Sequence, residues 1–279
     1  MLHTLQELFA RSRGAVASFN CIDLEMARGC IEAAEAADHP VIIGVATRHW
    51  AAVGGRSFIP SLRAACEAAA VPVALHLDHA SSTQLDIVEE ALAEGFTSIM
   101  IDGSTLPYEE NVRVTKEVVA TAHDRGASVE AELGPLIGEE GVAAVVDAST
   151  VSQYTDPDEA HRFCDETGVD ALAVAVGTAH GLYKDEPRLQ MELISQLHEK
   201  AAAPLVLHGA TGVGDEAIRE AVRRGVRKIN YFSGLLVEAM EAIVSFGDPA
   251  DTDYLAFRLR LREGWKRRAA ALIVLYRGQ

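Results

Sequence analysis

At 279 residues, 49% of them apolar, the chain has material for one large domain or two small ones with a sizeable core. Its 41 acidic against 25 basic residues give a formal net charge of −16, which argues against general affinity for nucleic acid or an anionic membrane surface. Cys21, Cys30, Cys66 and Cys164 are scattered with no CxxC, which argues against a zinc ribbon or a disulfide scaffold and reads as free thiols in a reducing cytoplasm. The opening residues lack the apolar core and cleavage site of a signal peptide, and no run of about 20 apolar residues marks a membrane span.

The first apolar run, AVASFN (15–20), is strand-like and ends in Asn20. The Ala- and Glu-rich helix LEMARGCIEAAEAA leads to a second strand, VIIGVA (41–46), followed by Arg48 and His49. These two either bind an anionic group or are surface residues, with the surface reading slightly favoured. The third strand, VPVALHLDH (71–79), closes on groups that are costly to bury. Strand alternation places Val73, Leu75 and Leu77 on one face and Ala74, His76 and Asp78 on the other, with His79 at the exit. TSIMIDG (97–103) ends near Asp102, and SVEAELG (128–134) carries Glu130 and Glu132. A long connection, 135–160, has few helix signals and reads as an active-site loop. ALAVAVG (171–177) is followed by His180, PLVLHG (204–209) ends in His208, and RKINYFS (227–233) holds Asn230 and Ser233. Two helices, about 234–246 and 251–275, complete the chain, the second studded with Arg and Lys that read as a solvated or interface face.

Strands alternating with helices imply parallel pairing, and eight such units in about 230 residues predict a single (β/α)8 barrel domain with additional C-terminal helices. Polar residues gather at the C-terminal ends of these strands, where such barrels keep their active sites. His79, His180 and His208 would meet there as a three-imidazole metal site, with Glu132 as a fourth or displaceable ligand. Asp78 suits proton transfer, and His76 an orienting role behind it. His3, His39, His49, His123, His161 and His198 fall away from the predicted mouth. No strand core offers an obvious Schiff-base lysine, since Lys228 opens the eighth strand at the other end. Glycines beside His180 and within HGATG (208–212), with Thr211 and Ser233, favour an anion site made of backbone N–H groups.

The segments FN (19–20), HLDH (76–79), IDGS (101–104), YEEN (108–111), VEAELG (129–134), AVAVGTAHGLY (173–183), PLVLHGATG (204–212) and KIN (228–230) carry a family resemblance. Together they resemble the class II, zinc-dependent ketose-bisphosphate aldolases, nearest the tagatose-1,6-bisphosphate aldolase branch. The resemblance implies reversible retro-aldol cleavage of a ketose (bis)phosphate to dihydroxyacetone phosphate and an aldehyde. His79, His180 and His208 match the family's Zn2+ ligands, and Glu132 a carboxylate that also reaches the metal. Asp78 matches the acid/base at the reacting hydroxyl, and Glu140 the carboxylate that exchanges a proton with the dihydroxyacetone carbon. Asn20, Gly181, Gly209, Ala210, Thr211, Asn230, Tyr231, Phe232 and Ser233 match substrate-holding positions, and Asp102 and His76 stand behind the ligands or serve a second cation. A monovalent cation (Na+ or K+) beside the phosphate and a homodimer or homotetramer are further implications.

Three departures bear on the substrate. Thr211 replaces a serine, NYFS puts bulky Tyr231 and Phe232 in the phosphate segment, and GVATRHW lacks the usual Gly- and Pro-containing turn. A ketose with a different or missing phosphate is therefore the alternative substrate. A metal-dependent barrel hydrolase is a second enzyme class. A non-catalytic partner subunit would be expected to have lost ligands that this chain retains.

Overall fold

The computed structural model describes residues 1–138, 145–147, 150–151, 153–245 and 253–278. Its strands are β1 Val16–Asn20, β2 Val41–Ala46, β3 Val73–Ala80, β4 Ser98–Ile101, β5 Ser128–Leu133, β6 Val145–Val146, β7 Ala171–Val174, β8 Leu182–Tyr183, β9 Leu205–Leu207 and β10 Val226–Tyr231. The order β1-β10-β9-β7-β5-β4-β3-β2 closes a barrel, and every pairing in it is parallel. The predicted (β/α)8 barrel is therefore the fold. Several strands are shorter than predicted. Asp102, His208 and Phe232 lie just beyond the pairing, in the turns that face the mouth, and Ser233 opens the helix that follows.

The helices are α1 Leu5–Arg11, α2 Leu24–Ala37, α3 Gly55–Glu67, α4 Leu85–Ala93, α5 Tyr108–His123, α6 Pro157–Thr167, α7 Met191–Lys200, α8 Asp215–Arg223, α9 Ser233–Ser245 and α10 Tyr254–Tyr276. Their ends follow local chemistry. Asp156 accepts hydrogen bonds from the N–H groups of Asp158 and Glu159 at the start of α6, which has proline in its first turn and ends at left-handed Gly168. Helix α6 thus begins inside the segment read as the tail of a long loop. Earlier in that segment β6 pairs with β8, a two-stranded ribbon outside the barrel.

Alternation along the strands fills the barrel interior by depth. At the N-terminal end Val16, Ile42, Ala74, Met100, Ala171, Ala173 and Val206 pack with Leu5, Leu8 and Phe9 of α1. Helix α1 plugs the barrel floor, a role the sequence reading did not foresee. Its start is fixed by a capping box: Glu7 N–H donates to Thr4 Oγ1, and Thr4 N–H donates to Glu7 Oε2. Leu8→Ala in this fully buried plug is expected to cost about 2–5 kcal/mol of stability, read as a lower midpoint in denaturant unfolding.

The basic stripe on α10 is largely spent within the chain. Arg258 and Arg262 pair with Glu25, Arg262 and Lys266 with Glu32, and Arg267 and Arg268 with Glu238. These contacts fasten α10 across α2 and α9. No helix among the described residues is long and apolar enough to cross a membrane.

Candidate active site

The C-terminal mouth of the barrel collects its polar groups from seven strands or the turns that follow them. Asn20 ends β1, Asp78 and His79 lie in β3, and Asp102 follows β4. Glu132 lies in β5, His208 follows β9, Asn230 lies in β10, and His180 sits in the turn between β7 and β8.

Asp78 and His79 are adjacent, so a regular strand would send them to opposite faces. Both serve the mouth because the pairing of β3 with β4 shifts register between Leu77 and Ala80, and His79 adopts a left-handed backbone with φ of 52°. An irregularity of this kind re-aims a side chain, at a cost on the order of 1–3 kcal/mol for a non-glycine residue. Thr47 Oγ1 holds the strained peptide by donating to the His79 carbonyl at 2.6 Å.

The three predicted histidines converge. His79 Nε2 lies 3.0 Å from His208 Nδ1, and one ligand nitrogen from each of His79, His180 and His208 falls within 4.8 Å of the others. His79, Asp102 and Glu132 form a second such group around the same imidazole. Glu132 Oε2 is buried and has no hydrogen-bond partner among the described residues. Nitrogens and a carboxylate oxygen facing one another in this way fit a divalent cation between them. The charges agree: burial alone would depress the His79 imidazolium, yet Asp78, Asp102 and Glu132 lift its pKa to about 10. Glu132 is pushed well above the usual carboxylate range by burial and by Asp102, a field that a cation would relieve.

Asp78 is fully buried beside this cluster. Asn20 Nδ2 donates to its Oδ2 at 2.7 Å, Asn230 Nδ2 to its Oδ1 at 3.2 Å, and His76 Nε2 lies 3.4 Å from Oδ1. Burial would raise the Asp78 pKa, but His79, His76 and His208 hold it well below the usual range. Asp102 takes the Nδ1 side of His79 at 3.1 Å and is itself held by the N–H and hydroxyl of Ser104.

A family model described as fructose-bisphosphate aldolase class-II matches residues 3–277. The chain belongs to the class II fructose-bisphosphate aldolase family. It is an aldolase, hence a lyase that performs retro-aldol cleavage, and its family is metal-dependent. A fructose-bisphosphate aldolase of Geobacillus stearothermophilus is 42% identical over 223 residues, covering 79% of this chain and 76% of that protein. A 6-phospho-5-dehydro-2-deoxy-D-gluconate aldolase of Halalkalibacterium halodurans is 40% identical over 237 residues, covering 82% and 79%. The crystal structure of the YdjI aldolase from Escherichia coli K12 superimposes with a TM-score of 0.86 at 35% identity, covering 99% of this chain and 97% of that one. The family membership decides for aldolase over hydrolase.

In this aldolase the turns that bear His180 and His208 are tied together. Tyr183 Oη receives the Ala179 N–H at 2.6 Å and reaches the Gly209 carbonyl at 2.8 Å, linking the turns after β7 and β9. Gly209 has φ of 67°, and a Cβ there would stand 2.2 Å from the Ala179 carbonyl, so only glycine fits. Thr211 Oγ1 accepts the Gly234 N–H at 3.3 Å in the first turn of α9, which brings HGATG beside the Asn230–Ser233 segment. Tyr231 and Phe232 are both buried, with Phe232 edge-on to His49 at 5.4 Å between ring centroids. Glu140 lies outside the described residues.

Two sequence expectations, on His49 and Lys228, need correction. His49 is not remote from the mouth, since its ring packs on Phe232. Arg48 is exposed, in keeping with the surface reading, and also lines a cavity of about 390 Å³ together with His79, His180, Ser81, Gln84 and Ser104. Lys228 does not stand at an idle strand end. It is fully buried inside the barrel, its Nζ 2.6 Å from Glu130 Oε2, and Glu130 Oε1 lies 2.8 Å from His208 Nε2. Burial opposes ionisation of Glu130, but Lys228 and His208 hold its pKa at about 2. Strand alternation was the available signal, because Glu130 shares a face with Glu132, and Lys228 with Asn230.

Proposed function

We propose that the protein is a zinc-dependent aldolase that reversibly cleaves a ketose phosphate to dihydroxyacetone phosphate and an aldehyde. The observation that carries this reading is the convergence of His79, His180 and His208 beside a buried, ionised Asp78. Zinc held by the three imidazoles, with Glu132 in reach, would supply Lewis-acid stabilisation of the negative charge that develops on the ketone half as the carbon–carbon bond breaks. Asp78 accepts the proton of the hydroxyl at the bond being broken, and Asn20 and Asn230 keep its carboxylate aimed. Glu140 returns a proton to carbon. The turns Gly181, Gly209–Thr211 and Asn230–Ser233 bind the dihydroxyacetone phosphate, whose phosphate meets backbone N–H groups at the start of α9.

The relatives named above act, by their names, on fructose bisphosphate and on a phosphorylated dehydrodeoxygluconate, so the family accommodates more than one aldehyde half. The cavity that Arg48 shares with Ser81, Gln84 and Ser104 supports a polar or anionic terminus there. Zinc-loaded protein incubated with a panel of ketose phosphates and unphosphorylated ketoses is expected to release a ketone–aldehyde pair from the phosphorylated members. Failure to produce such a pair from any member would contradict the reading. In the same panel Arg48→Ala is expected to raise KM about tenfold for substrates anionic at the aldehyde end, the loss of one charge-assisted contact, and to leave neutral ones unchanged. Equal effects on both would remove Arg48 from the specificity pocket.

The family resemblance also implies a homo-oligomer. The exposed apolar row on α9, with Met240 at 58% and Val244 at 81% exposure, supports that assembly. The four cysteines are free and buried thiols, which supports a cytoplasmic setting.

A further inference from the structure

We propose that Lys228 and Glu130 are positioning residues that fix His208 in the tautomer needed for metal binding. The inference rests on the zinc reading above. His208, Glu130 and Lys228 are all at zero exposure, His208 at the mouth and the other two one level below it. The two oxygens of Glu130 are divided between two partners: Oε1 faces His208 Nε2 at 2.8 Å, and Oε2 faces Lys228 Nζ at 2.6 Å. A carboxylate only accepts, so the imidazole must place its proton on Nε2. That leaves the Nδ1 lone pair directed upward, 3.3 Å from the amide nitrogen of Asn230 and 3.0 Å from His79 Nε2, where the cation would lie. The opposite tautomer would put a lone pair against a carboxylate and a proton where the metal belongs.

Lys228 makes the arrangement durable. A buried carboxylate with no countercharge is costly, and Lys228 supplies that countercharge at 2.6 Å while leaving the other oxygen of Glu130 to His208. The ammonium also lies 3.4 Å from His76 Nε2, and that ring lies 3.4 Å from Asp78 Oδ1 and 2.7 Å from Ser98 Oγ. One cation therefore sits beneath both the metal-ligand side and the proton-transfer side of the mouth.

A mere staple between β5 and β10 and a positioning pair differ in what they move. Single removal of either charge risks misfolding, so the variants are the neutral pairs Glu130→Gln/Lys228→Met, which keeps an acceptor for His208, and Glu130→Leu/Lys228→Met, which removes it. Zinc affinity is read by chelator competition on folded protein, and histidine tautomers by 15N NMR of the metal-free form. Loss of a partner behind a metal ligand typically weakens binding about 10–100-fold. That loss is expected in the Leu/Met pair, with a smaller one in the Gln/Met pair, and the wild type is expected to show His208 protonated on Nε2 where the Leu/Met pair shows a mixture. Wild-type zinc affinity in the Leu/Met pair, or a wild-type His208 protonated on Nδ1, overturns the proposal while leaving the zinc site intact. If neither pair folds, the wild-type tautomer alone decides. Wild-type protein whose zinc uptake is unchanged by His208→Ala would instead overturn the zinc reading, and this inference with it.

Discussion

Asp78→Ala is expected to lower kcat for cleavage by about 10²–10⁴-fold, the range for a positioned acid/base, while the zinc content per chain stays at the wild-type level. The separation of the two effects follows from geometry. Asp78 is held by Asn20, Asn230 and His76, whereas the converging donor nitrogens belong to His79, His180 and His208. Its carboxylate is ionised throughout the neutral range despite complete burial, and a cation in the mouth would act in the same direction as the imidazolium of His79. An acceptor is therefore in place before the substrate hydroxyl arrives. Alanine removes the acceptor and leaves Asn20 and Asn230 with amide donors that water can satisfy. Measured kcat together with elemental analysis checks the result. Undiminished turnover would remove Asp78 from the proton path, and loss of zinc would recast it as a ligand.

The architecture was legible because strand periodicity and glycine stops repeat eight times, and because polar residues clustered at one end of the predicted strands. The aim of His79 was not legible. It depends on the register shift between β3 and β4 and on a left-handed backbone, neither of which leaves a composition signal, although histidine tolerates that conformation better than most residues. Lys228 was misplaced because it was judged by its distance along the strand and not by its face. Counting by twos from Asn230 puts it inside the barrel. Helix α1 is only 7 residues long, too short for a periodic apolar pattern, and its capping box was the cue available. Arg48 could not be placed because the short turn Thr47–His49 that carries it to the cavity wall is set by packing against β3, through the hydrogen bond from Thr47 to His79.

His208→Ala is expected to abolish both zinc retention and cleavage. Catalytic zinc is commonly held by three protein ligands with a position left for substrate. Removing one of three imidazoles leaves two and a carboxylate, Glu132, whose environment disfavours its charged form. His208 is also held between Glu130 below and Asn230 beside it, so its loss discards a nitrogen that is already ordered. The substitution also empties a fully buried position, and the consequences for stability have to be separated from those for metal. Thermal unfolding with and without zinc does this. A ligand present at 100 times its Kd stabilises the native state by about 2.7 kcal/mol, so wild-type protein should gain Tm on zinc addition. His208→Ala should start from a somewhat lower metal-free Tm and gain nothing. A variant that unfolds at lower temperature but keeps the full zinc increment would show that the ion binds elsewhere, and the proposed division of labour between His208 and Asp78 would fall with it.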